Sequence, residues 1–256
     1  MSGSAIESPA PAPRESYGSV LRRLSAAQKP AARSAPAYSR FVNRRLGRYI
    51  TAWAYLAHLT PNAVTAISAV WTFAAIVLLI VLPASWGLGI AVAVLLLVGY
   101  AFDSADGQLS RLTGRSSPAG EWLDHMVDAT KVVSMPLALL VGFYLHRTVA
   151  VGWLVVPLVS AVVASVLFFG MILTEQLRRR TGAVPLAEDL PGRPSWLRAV
   201  LVLPMDYGVL CVSFVLLGWL PGFLVVYTLI VIATALFLLA AAARWFHELR
   251  GEGSPS

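Results

Sequence analysis

The stretch DSADGQLSRLTGRSSPAGEWLDHMVD, residues 103–128, lies between two apolar runs and carries four aspartates. Asp103 and Asp106 are three residues apart, and Asp124 and Asp128 are four apart, so the members of each pair share one face of a helix. The connection between the two helices is short, which makes the helices antiparallel neighbours. The sequence therefore predicts that the four carboxylates converge on one spot.

The apolar runs on both sides belong to a chain of membrane composition. Of its 256 residues, 57% are hydrophobic and 13% are charged, whereas a soluble domain has about 25% charged residues. A helix that crosses a membrane needs roughly 20 mostly apolar residues. We therefore expect an all-α integral membrane protein with six transmembrane helices, at residues 61–82, 86–103 (the helix continuing to 110), 120–144, 149–174, 199–217 and 223–243.

The basic residues indicate how these helices are oriented. The formal net charge is +7, and of the 20 basic residues only Arg147 falls on one side of the predicted bundle. Lys131 lies within a predicted span, and the other 18 fall on the opposite side. The positive-inside rule then places both termini in the cytoplasm and explains the excess charge without a nucleic-acid partner. We expect a multi-pass protein of the cell (inner or plasma) membrane, with its acidic cluster facing the cytoplasm.

The chain before the first predicted span divides into two segments. Residues 1–37 are rich in Pro, Ala and Ser, which predicts a disordered cytoplasmic segment. Residues 38–250 form the predicted membrane domain. Its first part, 38–50, predicts a short basic amphipathic helix in the cytoplasmic headgroup layer, with a basic linker as the alternative. The apolar side chains on its one face are Tyr38, Phe41, Val42, Leu46, Tyr49 and Ile50.

Acidic residues inside a membrane segment need a physical reason, because each costs about 2.5–3.5 kcal/mol to insert. Between residues 49 and 174 there are only five: Asp103, Asp106, Glu121, Asp124 and Asp128. Two carboxylates about 4 Å apart repel by roughly 4 kcal/mol at an effective dielectric constant of 20, so the cluster must bind protons or cations. Oxygen ligands without His or Cys suit a hard cation, and we expect two ions of Mg²⁺ or Mn²⁺.

Two glycines accompany the aspartates. Gly107 follows Asp106, and Gly120 precedes Asp124 by four residues. Glycine within a helix costs about 1 kcal/mol relative to Ala, so its presence indicates that something approaches the backbone closely. A phosphate or nucleotide would explain both glycines, and close packing between helices is the alternative for either one.

The full pattern resembles the signature of a known enzyme family. Residues 103–128 read Asp-x2-Asp-Gly-x2-Ser-Arg-x8-Gly-x3-Asp-x3-Asp, which is similar to the motif of the CDP-alcohol phosphotransferases, membrane enzymes of phospholipid biosynthesis. The chain departs from that motif at Ser110, where the family usually has Ala. Because Ser is also small, we expect it to be tolerated.

The resemblance implies roles for the four aspartates. Asp103, Asp106 and Asp124 would hold a pair of metal ions. Asp128 would contact metal and serve as the general base that takes the proton of the acceptor hydroxyl. The family also implies a homodimer.

The resemblance further implies which residues contact the CDP part of the donor. Gly107 and Arg111 would make such contacts, and Gly120 would allow close approach. A shorter match to the family, Pro-Asn-x-x-Thr at the start of the first span, adds Asn62 and Thr65. Helix capping is the alternative explanation of this second motif.

The implied reaction transfers a substituted phosphoryl group from a CDP-linked donor to an alcohol and releases CMP. The donor is either CDP-diacylglycerol, with a polar alcohol as acceptor, or a CDP-amino alcohol, with a diglyceride as acceptor. Residues 117–128 resemble a stretch of choline and ethanolamine phosphotransferases, which makes Glu121 and His125 candidate acceptor or headgroup contacts. The basic linker 178–198 either binds an anionic acceptor or serves only as a topology signal.

Two other classes of protein would also explain part of the pattern. A cation transporter collects carboxylates in the membrane, but near the midplane and on broken helices rather than at helix ends. A catalytically inactive homologue would have no need to retain all four aspartates. A transferase accounts for the aspartates, the glycines and Arg111 together.

Overall fold

The computed structural model describes residues 15–27, 38–181 and 206–251, and every regular element in these ranges is helical. A π-helical turn, Ser39–Asn43, precedes the second α-helix, and short 3₁₀ segments, Val151–Leu154 and Phe214–Gly218, adjoin the sixth and seventh α-helices. The α-helices are α1 (Tyr17–Ala27), α2 (Arg44–Leu56), α3 (Pro61–Val81), α4 (Trp86–Thr113), α5 (Pro118–Leu145), α6 (Val155–Thr181), α7 (Tyr207–Ser213) and α8 (Leu220–Leu249).

Among the residues that the structure describes, five segments are long and apolar enough to cross a membrane: Pro61–Val81, Trp86–Thr113, Pro118–Leu145, Val151–Arg180 and Leu220–Leu249. They agree with five of the six predicted spans, so the prediction of a multi-pass, helical membrane protein is confirmed. At the remaining predicted span, 199–217, the described residues form a shorter apolar helical segment, Tyr207–Gly218. Residues 199–205 lie outside the described ranges, so the count of six spans and the cytoplasmic placement of the termini stay predictions.

Part of the N-terminal segment differs from what the sequence predicted. The sequence predicts that residues 1–37 are largely disordered, but Tyr17–Ala27 form α1, so the prediction does not hold for these residues. Val20 and Leu24, one turn apart, are buried against Ala52 of α2, and the Tyr17 hydroxyl donates a 3.1 Å hydrogen bond to the Tyr49 carbonyl. Apolar residues at helical spacing thus build a helix that a neighbouring helix stabilises. Residues 1–14 and 28–37 lie outside the described ranges.

Four of the six apolar residues on the face predicted for a membrane surface are exposed in the structure, whereas Tyr38 and Ile50 are half-buried. Phe41, Val42, Leu46 and Tyr49 are all exposed, whereas Gly47, Thr51, Ala52 and Ala54 on the other side of α2 are buried. Trp53 and Leu56 extend the exposed apolar face. The amphipathic helix at 38–50 and its placement in the headgroup layer both stay predictions.

Side-chain caps fix where the helices near the acidic cluster begin. Thr60 caps α3 through a 3.2 Å hydrogen bond from the Ala63 N–H, and Ser117 caps α5 through a 3.1 Å bond from the Gly120 N–H. Proline occupies the first turn of both helices, where its missing N–H is not needed. At the other end of the α4–α5 connection, Gly114 takes the left-handed conformation (φ 65°) that ends α4.

Helix α3 is the shared partner of the two helices that carry the aspartates. It packs closely on both α4 and α5, whereas the direct packing of α4 on α5 is sparser. A Cβ added at Gly142 of α5 would meet the Leu79 carbonyl of α3, so the two backbones approach as closely as they can. The prediction that α4 and α5 are neighbours needs this correction: they lie side by side mainly because both pack on α3.

Candidate active site

Three of the four predicted carboxylates meet where α4 and α5 approach one another. Asp103 of α4 and Asp124 and Asp128 of α5 each place a carboxylate oxygen so that the three atoms lie within 4.8 Å of one another. All three residues are half-buried. Because hard divalent cations prefer carboxylate oxygens and tolerate partial hydration, this group fits Mg²⁺ or Mn²⁺.

Asp106 lies outside this group of three and is more buried, with 8% of its surface exposed. Its Oδ2 accepts a 2.6 Å hydrogen bond from the Thr65 hydroxyl of α3. A buried carboxylate needs such a partner, because an unsatisfied one would carry a large desolvation penalty. The prediction that four carboxylates converge on one spot therefore needs a correction: three of them form a group, and Asp106 lies outside it, held by α3.

Lys131 also belongs to the site, a role that was not predicted from its position in the sequence. Its ammonium donates to Asp103 Oδ1 at 2.7 Å and to Asp128 Oδ1 at 3.1 Å. A third hydrogen bond, of 3.2 Å, goes to the Ser68 hydroxyl of α3. One signal was available in the sequence: a basic residue inside an apolar span, three positions after an aspartate, shares that aspartate's helix face.

The predicted donor-binding residues lie beside the aspartates on three helices. Gly107 faces the guanidinium of Arg111, one turn further along α4: an added Cβ would lie 3.4 Å from Arg111 Nη1. At the start of α5, a Cβ added at Gly120 would lie 3.1 Å from Asn62 Oδ1 of α3. Together with the hydrogen bond from Thr65 to Asp106, this contact shows that the two sequence motifs meet in space. Capping of α3 is performed by Thr60, so it does not explain Asn62 or Thr65.

Glu121 and His125 lie on an exposed rim rather than in the group of three aspartates. Glu121 Oε1 accepts a 2.8 Å hydrogen bond from Arg179 Nη1 of α6. His125 Nε2 lies 3.8 Å from the same Glu121 oxygen. Arg179 in turn also contacts Glu175 at 3.3 Å. These charged groups join the ends of α5 and α6 next to the site.

One known protein family matches most of this helical bundle. The sequence model of the family described as CDP-alcohol phosphatidyltransferase matches residues 58–240. The chain belongs to this family. A comparison with curated proteins finds no match. The match begins just before α3, ends within α8 and contains both pairs of aspartates, so the resemblance inferred from 26 residues is confirmed over most of the membrane bundle.

Membership in the CDP-alcohol phosphatidyltransferase family establishes the class of chemistry. The chain is a membrane transferase of phosphoryl groups, and its family uses divalent metal. A cation transporter is therefore no longer the natural explanation of the carboxylates. The acidic group of this transferase offers carboxylate oxygens that could hold such a metal.

Proposed function

We propose that this chain transfers a substituted phosphoryl group from a CDP-linked donor to an alcohol and releases CMP, in phospholipid biosynthesis. The observation that carries the proposal is the group of three carboxylate oxygens within 4.8 Å, formed by residues of the family signature. Around this group, α5 supplies the Lys131 ammonium, and α3 supplies the hydroxyls of Thr65 and Ser68.

In this proposal the four aspartates have different roles. Asp103, Asp106 and Asp124 hold two ions of Mg²⁺ or Mn²⁺, and Asp128 contacts metal and acts as the general base. When bound, such ions neutralise the diphosphate and stabilise charge on the attacking and leaving oxygens. Asp106 enters this set with its one oxygen already oriented by Thr65, which fixes the carboxylate before substrate arrives.

The transfer requires the removal of one proton, the formation of one phosphorus–oxygen bond and the cleavage of another. Asp128 takes the proton of the acceptor hydroxyl, and the resulting oxygen attacks the phosphorus farther from cytidine. The bond between that phosphorus and the CMP oxygen breaks, and CMP leaves with the electron pair. Arg111 provides a fixed positive charge for the CMP phosphate, because a guanidinium binds phosphate oxygens through paired donors.

The other proposed contacts with the CDP-linked donor rest on where the remaining motif residues lie. Gly107 leaves open the space in front of Arg111, and Gly120 brings the start of α5 close to Asn62. Thr65 acts through Asp106. A nucleotide lying along these residues would contact α3, α4 and α5 at once, which would hold the diphosphate next to the three carboxylates.

We propose two candidate pairs of substrates for this site, CDP-diacylglycerol with a polar alcohol and a CDP-amino alcohol with a diglyceride. Glu121 and His125 on the rim are the candidate acceptor or headgroup contacts, although Glu121 already pairs with Arg179. The predicted basic linker 178–198 needs a correction at its start, because residues 178–181 form the last turn of α6; residues 182–198 lie outside the described ranges. We further propose a homodimer in the cell membrane with the site facing the cytoplasm.

The test is a substrate panel with purified protein. The full chain in lipid-containing detergent is given Mg²⁺ or Mn²⁺, a labelled CDP donor and a series of alcohols and diglycerides, and CMP release is measured together with the lipid product. Release that depends on one donor and one acceptor supports the proposal and identifies the substrates. Absence of release with every donor, from protein shown to be folded, would support the catalytically inactive homologue instead.

A further inference from the structure

Lys131 brings a buried positive charge into the group of carboxylates. Its side chain is 10% exposed, and its ammonium reaches one acceptor on each of three helices: Ser68 on α3, Asp103 on α4 and Asp128 on α5. An ammonium group has three protons, so these three contacts use all of them. The lysine is therefore fully engaged with groups of the site itself.

We propose that Lys131 is a positioning residue that acts as the resident counter-cation of the site: it holds Asp103 and Asp128 together before divalent metal binds, and it thereby sets how tightly the metal binds. This inference rests on the proposed function, because it takes the carboxylates to be metal ligands. It assigns a role to a residue outside the family signature described above.

Lys131 links two helices that otherwise have little direct packing on each other. Helices α4 and α5 pack sparsely on each other, and the Lys131 ammonium joins a carboxylate from each. Without a cation, these half-buried carboxylates would repel and drive the two helix ends apart. The Lys131 ammonium offsets that repulsion even when no metal ion is bound.

Lys131 and a divalent metal ion would compete for the same carboxylates. The two carboxylates that Lys131 contacts are also members of the group of three whose oxygens can hold a metal ion. A divalent ion must share these carboxylates with the ammonium, so binding of the metal weakens the contacts of the lysine. Removing the positive charge should then destabilise the metal-free protein more than the metal-bound protein, and by linkage it should tighten metal binding.

A purely structural lysine would behave differently. Its loss would lower stability by a similar amount with and without metal, and it would leave the affinity for metal unchanged. The two roles are therefore separated by measuring affinity and stability together.

The experiment uses the purified full chain in detergent, at fixed ionic strength, with Mn²⁺ alone as the probe. Lys131→Met removes the charge and keeps an apolar stem, Lys131→Gln removes the charge and keeps a donor, and Lys131→Arg keeps the charge. Isothermal titration calorimetry gives the affinity for Mn²⁺, and thermal unfolding is followed in chelator and in saturating Mn²⁺. We expect the neutral variants to bind Mn²⁺ about tenfold more tightly than wild type.

The same variants should unfold at a lower temperature than wild type in chelator and should recover most of that loss in Mn²⁺, whereas Lys131→Arg should stay close to wild type. Neutral variants whose affinity is unchanged or weaker, beside a wild type that binds Mn²⁺, would overturn the inference and leave the proposed function standing. Failure of both neutral variants to fold even in saturating Mn²⁺ would also overturn it, because the metal should replace the missing charge. No binding of Mn²⁺ by wild type would overturn the proposed function and this inference together.

Discussion

The Thr65 hydroxyl of α3 donates a 2.6 Å hydrogen bond to Asp106 Oδ2 of α4. Both residues are buried, and each comes from a different sequence motif. The bond holds the carboxylate that lies outside the group of three, and it ties that carboxylate to the helix on which α4 and α5 both pack. The short motif at the start of α3 thus contributes to the site indirectly, because its Thr65 orients Asp106.

We expect Thr65→Val to lower CMP release by about tenfold or more, because a hydrogen bond to a charged group contributes roughly 1.5–3 kcal/mol and the buried carboxylate would lose its partner. Thr65→Ser keeps the hydroxyl and is the matched control, with activity near wild type. The measurement is the initial rate at saturating metal, beside a thermal melt. Equal rates for the Val and Ser variants would show that the hydrogen bond has no part in activity.

Substitution of Asp128 should separate the base from the metal ligands. If Asp128 is the general base, Asp128→Asn should reduce turnover by about 10²–10⁴-fold while much of the CDP-donor binding remains. Asp103→Asn or Asp124→Asn should weaken Mn²⁺ and donor binding as well as turnover. Thermal-shift titrations with a CDP donor and Mn²⁺, run beside CMP-release assays, distinguish the two results. Near-normal turnover by Asp128→Asn would move the role of base to Glu121 or His125.

Removal of divalent metal should abolish transfer reversibly. The physical reason is the repulsion among carboxylates whose oxygens lie within 4.8 Å, which a single lysine charge cannot balance. CMP release is measured in excess chelator and again after Mg²⁺ or Mn²⁺ is restored. Full activity in chelator would leave the aspartates without a metal-binding role.

The close approach of α3 and α5 predicts a large effect of a small substitution. Gly142→Ala should destabilise the protein by about 1–3 kcal/mol, because the added methyl group meets the Leu79 carbonyl and the backbones must separate. Gly87→Ala is the control, since a Cβ at Gly87 of α4 meets nothing within 4 Å. Thermal unfolding in detergent compares the two variants. Equal stability would show that the helices can separate at no cost.

The predicted topology can be tested with single cysteines. The native Cys211 is buried and should give little background. Val151→Cys, after α5, should react with an impermeant thiol reagent added to intact cells, and Arg115→Cys, before α5, should react only after permeabilisation. Reaction of Arg115→Cys from the outside would reverse the predicted orientation.

The acidic group could be predicted because its spacing is local. Carboxylates three or four residues apart share a helix face whatever the tertiary structure, and four acids in an apolar region need a common reason. The separation of Asp106 could not be predicted, since it depends on how α3 packs against α4. Lys131 was missed because its three partners come from three helices, and only Asp128 is near it in sequence.

The helix α1 was missed for a different reason. Composition is averaged over a window, and Pro, Ala and Ser dominate residues 1–37. The apolar stripe of Tyr17–Ala27 is short, and a helix of 11 residues gains its stability from tertiary contacts rather than from its own propensity. Only the structure shows that α2 supplies those contacts.

The packing of α1 also bears on how the protein can be shortened. Val20 and Leu24 cover Ala52 and are flanked by Tyr55 of α2 and Leu112 near the end of α4, yet the family match begins only at residue 58. A fragment cut at that boundary would lose α1 and α2 and would expose apolar side chains one residue from Arg111. The shortest piece that keeps this end of the bundle covered therefore starts before Tyr17, some forty residues ahead of the recognised domain.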